Sequence, residues 1–349
     1  MNREKEVTIY DIAKALNISP ATVSRGLKDH PAISKNTKKR IFDAAKTMGY
    51  RFNTFASNLR LQKTNTIGVI VPRLNSSFMS EAIAGMEKVA NETGYNLIIS
   101  QSLETAEKEI KNAETMFNSR VDGLLVSLAY DTESIHHYEQ FIERNIPVLF
   151  FDRIFTHPKC PAITIDNYQA GYEMTAHLIS QGCRRILHIT ANQSRNVYLD
   201  RYKGYRTALD HHRIPFTSDM LLINDLSSAA GVEVAHHLLS MEKLPDAVFS
   251  ANDTCAVACL LELKKNGIKI PQDVAFAGFN NDPISQVVEP HLSTVNYKGY
   301  EMGQTAAQTL IEILKGNFKF SLSHSLLLKH EVLIRASSLK SMYRGNSCE

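Results

Sequence analysis

Along the first fifty residues the apolar positions recur at helical spacing, and from residue 66 onward they come in short runs. Ile9, Ile12, Ala13 and Leu16 fall at i, i+3, i+4 and i+7, behind a Thr8-x-x-Asp11 start that resembles a capping box. Asn17 and Ile18 make a turn. Ser19 and Pro20 then open a second helix, because serine caps well and proline suits the first helical position. Its inward stripe is only Val23 and Leu27. Ser34 caps a third helix, whose buried stripe is Ile41, Ala44, Ala45 and Met48 before Gly49 ends it. Strands are predicted at 67–71, 96–100, 123–127 and 147–151, with helices near 78–92, 106–119 and 133–144 between them. The cycle then restarts, with strands at 186–190, 221–224, 247–251 and 274–278 and helices near 200–212, 229–241 and 254–266. Strands alternating with helices predict two similar parallel α/β units behind a small helical head.

Composition narrows the class. The 349 residues are 44% hydrophobic and 21% charged, ordinary for a folded globular chain and long enough for two or three domains. The start, MNREKEVTIY, has no apolar stretch behind it, and runs such as IPVLFF are too short to cross a bilayer. The expectation is therefore a cytoplasmic protein with no membrane partner. Five scattered cysteines lack Cys-x-x-Cys spacing and read as reduced thiols; Cys255 and Cys259, one helical turn apart, read as small core residues, and no metal or other cofactor is expected. The net charge of +3 conceals an asymmetry: residues 1–65 hold 13 Lys/Arg against 5 Asp/Glu, so a head of +8 precedes a body of −5. A compact basic head calls for a polyanionic partner.

The second helix fits that partner. Ala21, Thr22, Ser24, Arg25 and Lys28 lie on its outer side, and small or hydroxyl side chains at its start let it approach a DNA major groove end-on. Thr22 and Ser24 can bond phosphates, Arg25 can reach guanine or phosphate, and the free N–H groups of the helix start favour phosphate. Residues 54–61 are compatible with a helix too short to stand alone in water, and Leu59, between Ser57-Asn58 and Arg60, has the composition of a minor-groove wedge. A plain linker is the alternative for that stretch.

The segment VTIYDIAKALNISPATVSRGLKDHPAISKNTKKRIFDAAKTMGYRFNTFASNLR, with its run Ile-x-Asp-Ile-Ala followed by Ser-Pro-Ala-Thr-Val-Ser-Arg, resembles the DNA-binding head of the LacI/GalR family of bacterial transcription regulators. The likeness extends through nearly the whole chain. It implies an α/β protein: a helix-turn-helix head at 1–50, a hinge helix and linker at 51–65, and a two-lobed periplasmic-binding-protein-like body at 66–340. Lobe 1 would hold 66–166 and 297–328, and lobe 2 would hold 167–296 and 329–340, with three crossings between them. The resemblance puts Pro20, Ala21, Thr22, Ser24 and Arg25 on recognition-helix positions, Tyr50 on a backbone contact and Ala56, Leu59 and Arg60 on the hinge helix, and Thr8 joins the DNA-binding set. Gly26 stands where a larger aliphatic residue is common, a change expected only to loosen the helix end.

In open α/β sheets ligands bind beyond the carboxyl ends of the strands. That rule alone selects Asn75 to Phe78, Ala129-Tyr130, Asp152-Arg153, Asn192 to Arg195, Asn224-Asp225, Asn252-Asp253 and Asn280 to Asp282. Asn, Asp and Arg suit ligand hydroxyls and Phe78 suits an apolar ring face, so a sugar fits, although each Asn or Asp could equally be an ordinary helix cap. The resemblance implies Phe78, Asp152, Arg195, Arg201, Asn252 and Asn280 as effector positions, with Arg201 in RYKGY similar to the family's Arg-x-x-Gly-Phe. Asn280 replaces an aspartate common there, and Leu226 an aromatic. The expected protein is a homodimeric repressor of a pseudo-palindromic double-stranded operator, released by a small carbohydrate effector. A purine or partner protein as effector, or a solute-binding protein, are the alternatives. Phosphate loops, nucleophile elbows and helical His-x-x-x-His pairs are missing from the sequence, which argues against an enzyme. The pairs His136-His137, His211-His212 and His236-His237 read as surface residues.

Overall fold

The computed structural model describes residues 7–50, 63–317 and 325–340. The chain divides into two compact units, Met1–Thr64 and Asn65–Glu349. In the first, α1 (Ile9–Leu16), α2 (Pro20–Leu27) and α3 (Lys35–Thr47) surround a core of Ile12, Ala13, Val23, Ile41 and Ala45. Each start is fixed by a side chain. The Asp11 carboxylate accepts from the Thr8 N–H at 2.8 Å and the Thr8 hydroxyl at 2.7 Å, Ser19 Oγ accepts from the Thr22 N–H at 3.1 Å, and Ser34 Oγ accepts from the Thr37 N–H at 3.2 Å. Asn17 ends α1 in the left-handed region, at φ 53°. Gly26 does more than loosen a helix end: it is buried, and a Cβ there would collide with Ile41 Cδ1, so its missing side chain sets how closely α2 approaches α3.

The second unit carries two parallel sheets. In the first lobe β1 (Thr66–Val71), α4 (Ser77–Thr93), β2 (Asn96–Gln101), α5 (Ala106–Asn118), β3 (Gly123–Val126), α6 (His136–Glu143), β4 (Val148–Phe151) and β5 (Ala162–Ile165) follow in turn. In the second lobe α7 (Asn167–Ser180), β6 (Ile186–Thr190), α8 (Asn196–His211), β7 (Leu221–Ile223), α9 (Ser228–Leu239), β8 (Ala247–Ser250), α10 (Asp253–Lys265), β9 (Ala275–Ala277) and α11 (Ile284–Val287) follow. The chain returns through β10 (Thr294–Asn296) to α12 (Gly299–Leu314) and β11 (Ser325–Leu328), then goes back through β12 (Glu331–Leu333), which pairs antiparallel with β10. The first sheet runs β11-β5-β4-β3-β1-β2 and the second β7-β6-β8-β9, with every described pair in both parallel. The backbone therefore passes between the sheets three times, all near the β5/β11 edge of the first and the β9 end of the second. Arg73 after β1, Glu104 after β2 and Asp225 after β7 lie towards the opposite edges.

Strands β5 and β11 and helix α7 lie outside the elements the periodicity selects. AITI is four residues long between Pro161 and Asp166, and the buried stripe of α7 mixes Ala170, Met174 and Leu178 with Gly171 and Thr175, which blurs its period. Glycine sets two of the helix contacts. A Cβ on Gly303 of α12 would fall on the Ala82 carbonyl of α4, and one on Gly204 of α8 would fall on the Tyr168 carbonyl of α7. Backbone thus meets backbone, and α8 is pressed against α7 where Arg201 leaves it.

Candidate functional sites

Between the two lobes, beyond the carboxyl ends of both sheets, lies a cavity of about 330 Å³, at the small end for ligand pockets. Phe78, Asp152, Arg201, Asn252 and Asn280 all line it. Phe78, in the first turn of α4, stacks on Tyr297 with ring centroids 4.3 Å apart, which forms an apolar platform. Asp152 follows β4; its carboxylate accepts from the Tyr297 hydroxyl at 2.9 Å and from Ser127 Oγ at 3.3 Å. Burial pushes its carboxyl above the usual range, against the pull of Arg153 and Arg201.

Arg201 is buried, with its guanidinium 3.5 Å from the Phe279 ring centroid. Its Nε donates to Asn167 Oδ1 at 2.9 Å and its Nη1 to the Ala251 carbonyl at 2.8 Å, so scaffold contacts fix the planar group while it still borders the cavity. Asn252 caps α10 by accepting from the Cys255 N–H at 2.9 Å and donates to the Leu226 carbonyl at 2.9 Å. It is a helix cap and a wall residue at once. Beside Asn280, Asp282 is pushed up to about 6 by burial, an effect Asn280 opposes by hydrogen bonding and Glu81 reinforces by like charge.

Backbone strain gathers on the cavity wall. Glu104, Asp152, Leu226 and Asn280 line it at φ 65°, 58°, 56° and 108°, the left-handed side of the map where a side chain is disfavoured. Such conformations cost on the order of 1–3 kcal/mol each and persist where the surroundings hold them, a common property of ligand clamps.

Arg195 requires a correction. It does not line the cavity; it is buried in the seam between the lobes, where its Nη2 donates to the Thr132 carbonyl at 2.5 Å. The strand-end rule selected the loop after β6, whose residues 191–195 do not line the cavity; the α8 residues just past it, Val197 and Tyr198, do. His137 also departs from expectation. Its side chain is 8% exposed and its Nε2 lies 2.9 Å from Glu109 Oε1, while His136 stands in solvent. Glu104, Tyr198 and Tyr297 line the cavity and were absent from the sequence-derived set. Glu104 follows β2, so the same rule extended to that strand would select it. Tyr297 lies just past β10 on a crossing and carries no local signal. Cys255 and Cys259 are both buried core residues, and no cluster of three or more metal-ligating side chains occurs among the described residues.

On the head, Val23 and Gly26 face the core while Ala21 and Arg25 are exposed and Pro20, Thr22 and Ser24 flank them. The Thr22 hydroxyl lies 2.8 Å from Ser19 Oγ. Tyr50 is half-buried against the head's core, and Thr8 is tied to Asp11. Ala56, Leu59 and Arg60 lie outside the described residues.

Two family models account for nearly all of this chain. Residues 8–53 match bacterial regulatory proteins of the lacI family, and residues 64–334 match the periplasmic binding proteins and sugar binding domain of the LacI family. The chain belongs to the LacI family. It is a DNA-binding transcriptional regulator with a ligand-binding domain. Among LacI-family relatives, the HTH-type transcriptional regulator RegA of Clostridium saccharobutylicum is 31% identical over 95% of this chain and 99% of its own length. Catabolite control protein A of Priestia megaterium is 29% identical over the same shares. The structure of the lac repressor dimer bound to operator and the anti-inducer ONPF has a TM-score of 0.85, covering 96% of this chain and 100% of that one at 22% identity, which is a likeness of fold. Among the described residues no helix is long and apolar enough to cross a membrane.

Proposed function

We propose that this LacI-family regulator is a cytoplasmic homodimeric repressor whose grip on a pseudo-palindromic operator is released by a small carbohydrate. Pro20, Ala21, Thr22, Ser24 and Arg25 read the major groove, Thr8 and Tyr50 contact the backbone, and Ala56, Leu59 and Arg60 form a hinge that opens the central step. The domain roles follow: residues 1–50 bind DNA, 51–65 couple, and 66–340 bind ligand and pair. The reading of the effector is carried by one observation, the cavity wall itself. It sets Asp152, Asp282, Asn280 and Arg201 around the Phe78–Tyr297 platform, so donors and acceptors ring an apolar face. A sugar ring has that pattern, with hydroxyls at its rim and C–H bonds on its face. The matched family description of a sugar binding domain supports it.

Dimer pairing is supported by the exposed edge of the first sheet. Ile98 and Ile99 of β2, with Leu103 and Ile110 beside them, are apolar and exposed, an arrangement suited to a second copy. The test has two parts. Selection of duplexes from a random pool should enrich a near-palindrome, and thermal-shift screening against monosaccharides and purines should find a sugar that raises the melting temperature and weakens duplex binding. Enrichment without symmetry removes the homodimeric reading. A purine hit, or a ligand that tightens duplex binding, removes the effector class or the direction of control.

A further inference from the structure

Glu104, Tyr130, Arg153 and Tyr198 converge at one wall of the cavity, and their geometry points across the cleft. Glu104, Tyr130 and Arg153 leave the first sheet, after β2, β3 and β4, whereas Tyr198 lies in the first turn of α8 in the second lobe. Arg153 is 7% exposed. Its Nη1 donates to Glu104 Oε2 at 2.6 Å, and its Nη2 reaches across to the Tyr198 hydroxyl at 3.0 Å. The guanidinium carbon lies 4.4 Å from the Tyr130 ring centroid, and the Tyr130 and Tyr198 hydroxyls are 3.1 Å apart.

The same seam continues along the loop before α8. Ser194 Oγ donates to the Tyr130 carbonyl at 2.9 Å, Asn196 Nδ2 donates to the Asp152 carbonyl at 3.0 Å, and the Ile154 N–H donates to Asn196 Oδ1 at 3.0 Å. Of these groups only Arg153 combines a buried charge, a carboxylate anchor in its own lobe and a donor aimed at the other. Glu104 and its neighbour Leu103 are both held in the left-handed region, at φ 65° and 50°, so the anchor is built at a conformational cost.

We propose that Arg153 is the positioning residue that sets the register of the two lobes. Anchored by Glu104 and backed by Tyr130, it holds Tyr198 and with it the start of α8, the helix that also carries Arg201. The seam keeps the lobes together beside the cavity without a ligand, and Arg73, 3.5 Å from Glu104 Oε1, adds to the same anchor. Arg153 commits Nη1 to Glu104 and the Leu128 carbonyl and an Nη2 donor to Tyr198, so these contacts give it a role in orienting the wall. The inference rests on the cleft being the ligand site.

Hydrogen exchange on the full chain without ligand tests it. In the native protein the Ile154 amide should be protected. In Tyr198→Phe and in Arg153→Lys, exchange at Ile154 should rise by tenfold or more, while the β1 and β8 amides stay at native rates and Arg153→Lys keeps the charge in place. A double variant no faster than the faster single one is expected if both act through one contact. Native-like exchange at Ile154 in both variants overturns the proposal, as does a uniform rise that includes β1 and β8, which would mark a general loss of stability. None of these results depends on which duplex or sugar binds, so the seam can fail while the repressor reading stands.

Discussion

Replacing Arg201 with lysine keeps the positive charge and removes the planar fork, which isolates geometry from electrostatics. In the native protein two different guanidinium nitrogens serve Asn167 Oδ1 at 2.9 Å and the Ala251 carbonyl at 2.8 Å, one from α7 and one past the end of β8. A lysine ammonium is a single point donor and cannot reproduce both directions together with the flat contact on Phe279. At least one buried acceptor is then left unpaired, at a cost of about 1–3 kcal/mol, and the stacking contributes about 1–2 kcal/mol more when desolvated. With roughly 2–4 °C per kcal/mol for a body of this size, the melting temperature should fall by about 4–20 °C. The folded variant should also bind effector at least tenfold more weakly, because the displaced side chain no longer holds the wall of the cavity in place. Calorimetric titration of effector, paired with anisotropy titration of the selected duplex, separates the two effects: effector affinity falls while effector-free DNA affinity stays within about twofold. Native effector affinity in a variant whose melting temperature has dropped as stated would refute the assignment of Arg201 to the ligand wall and leave it a purely structural group.

Asp282 supplies a pH test. With its carboxyl at about 6, effector hydroxyls that donate to the ionised form should bind with constant affinity above pH 7 and progressively less well as pH falls through 6, measured by the same calorimetry; flat affinity down to pH 5 counts against it. The stability effect of this group has the opposite sign: because its folded value lies above the unfolded one near 3.8, its contribution to stability declines as pH rises between the two. Gly303→Ala would drive a Cβ into the Ala82 carbonyl of α4, where backbone cannot yield, so a loss of about 3 kcal/mol is expected by thermal melting of the full chain. Leu59→Ala should weaken binding to the selected duplex by a few kcal/mol and leave effector affinity unchanged; equal duplex affinity removes the wedge.

The head and the body were legible in the sequence to different depths. Thr8-Asp11, Ser19-Pro20 and Ser34 mark helix starts through local hydrogen bonds between residues three apart, so the sequence carries the whole interaction. The strand-end rule reached Phe78, Asp152, Asn252 and Asn280 because a parallel sheet delivers its loops to one edge wherever the strands begin. It could not tell which side of a loop faces the cavity. Arg195 and Arg201 lie six residues apart, yet one, before α8, bonds across the seam, and the other, inside α8 where Gly171 and Gly204 let it press against α7, borders the cavity. Those glycines are separated by a long stretch of chain, and nothing in either local pattern announces that they meet.

Charge shows the same division between local and distant information. The +8 of the first 65 residues can be counted, and it points to a polyanion before any fold is known. The charges of the cavity cannot be counted in that way, because their effect depends on partners from other strands. Glu104 is paired to Arg153 at 2.6 Å, Asp152 is held by a tyrosine hydroxyl from the second crossing, and Asp282 faces the cavity beside an asparagine. Of the carboxyls on this wall, Asp282 is the one with no basic side chain among the causes of its shift, which leaves its negative charge for a donor on the ligand to satisfy. A neutral polyol would meet that requirement with hydroxyls alone, whereas a negative group would have to sit nearer Arg73 and Arg201, which border the same cavity. At the Asp282 end of the cleft, therefore, a hydroxyl donor would be favoured over an anionic group.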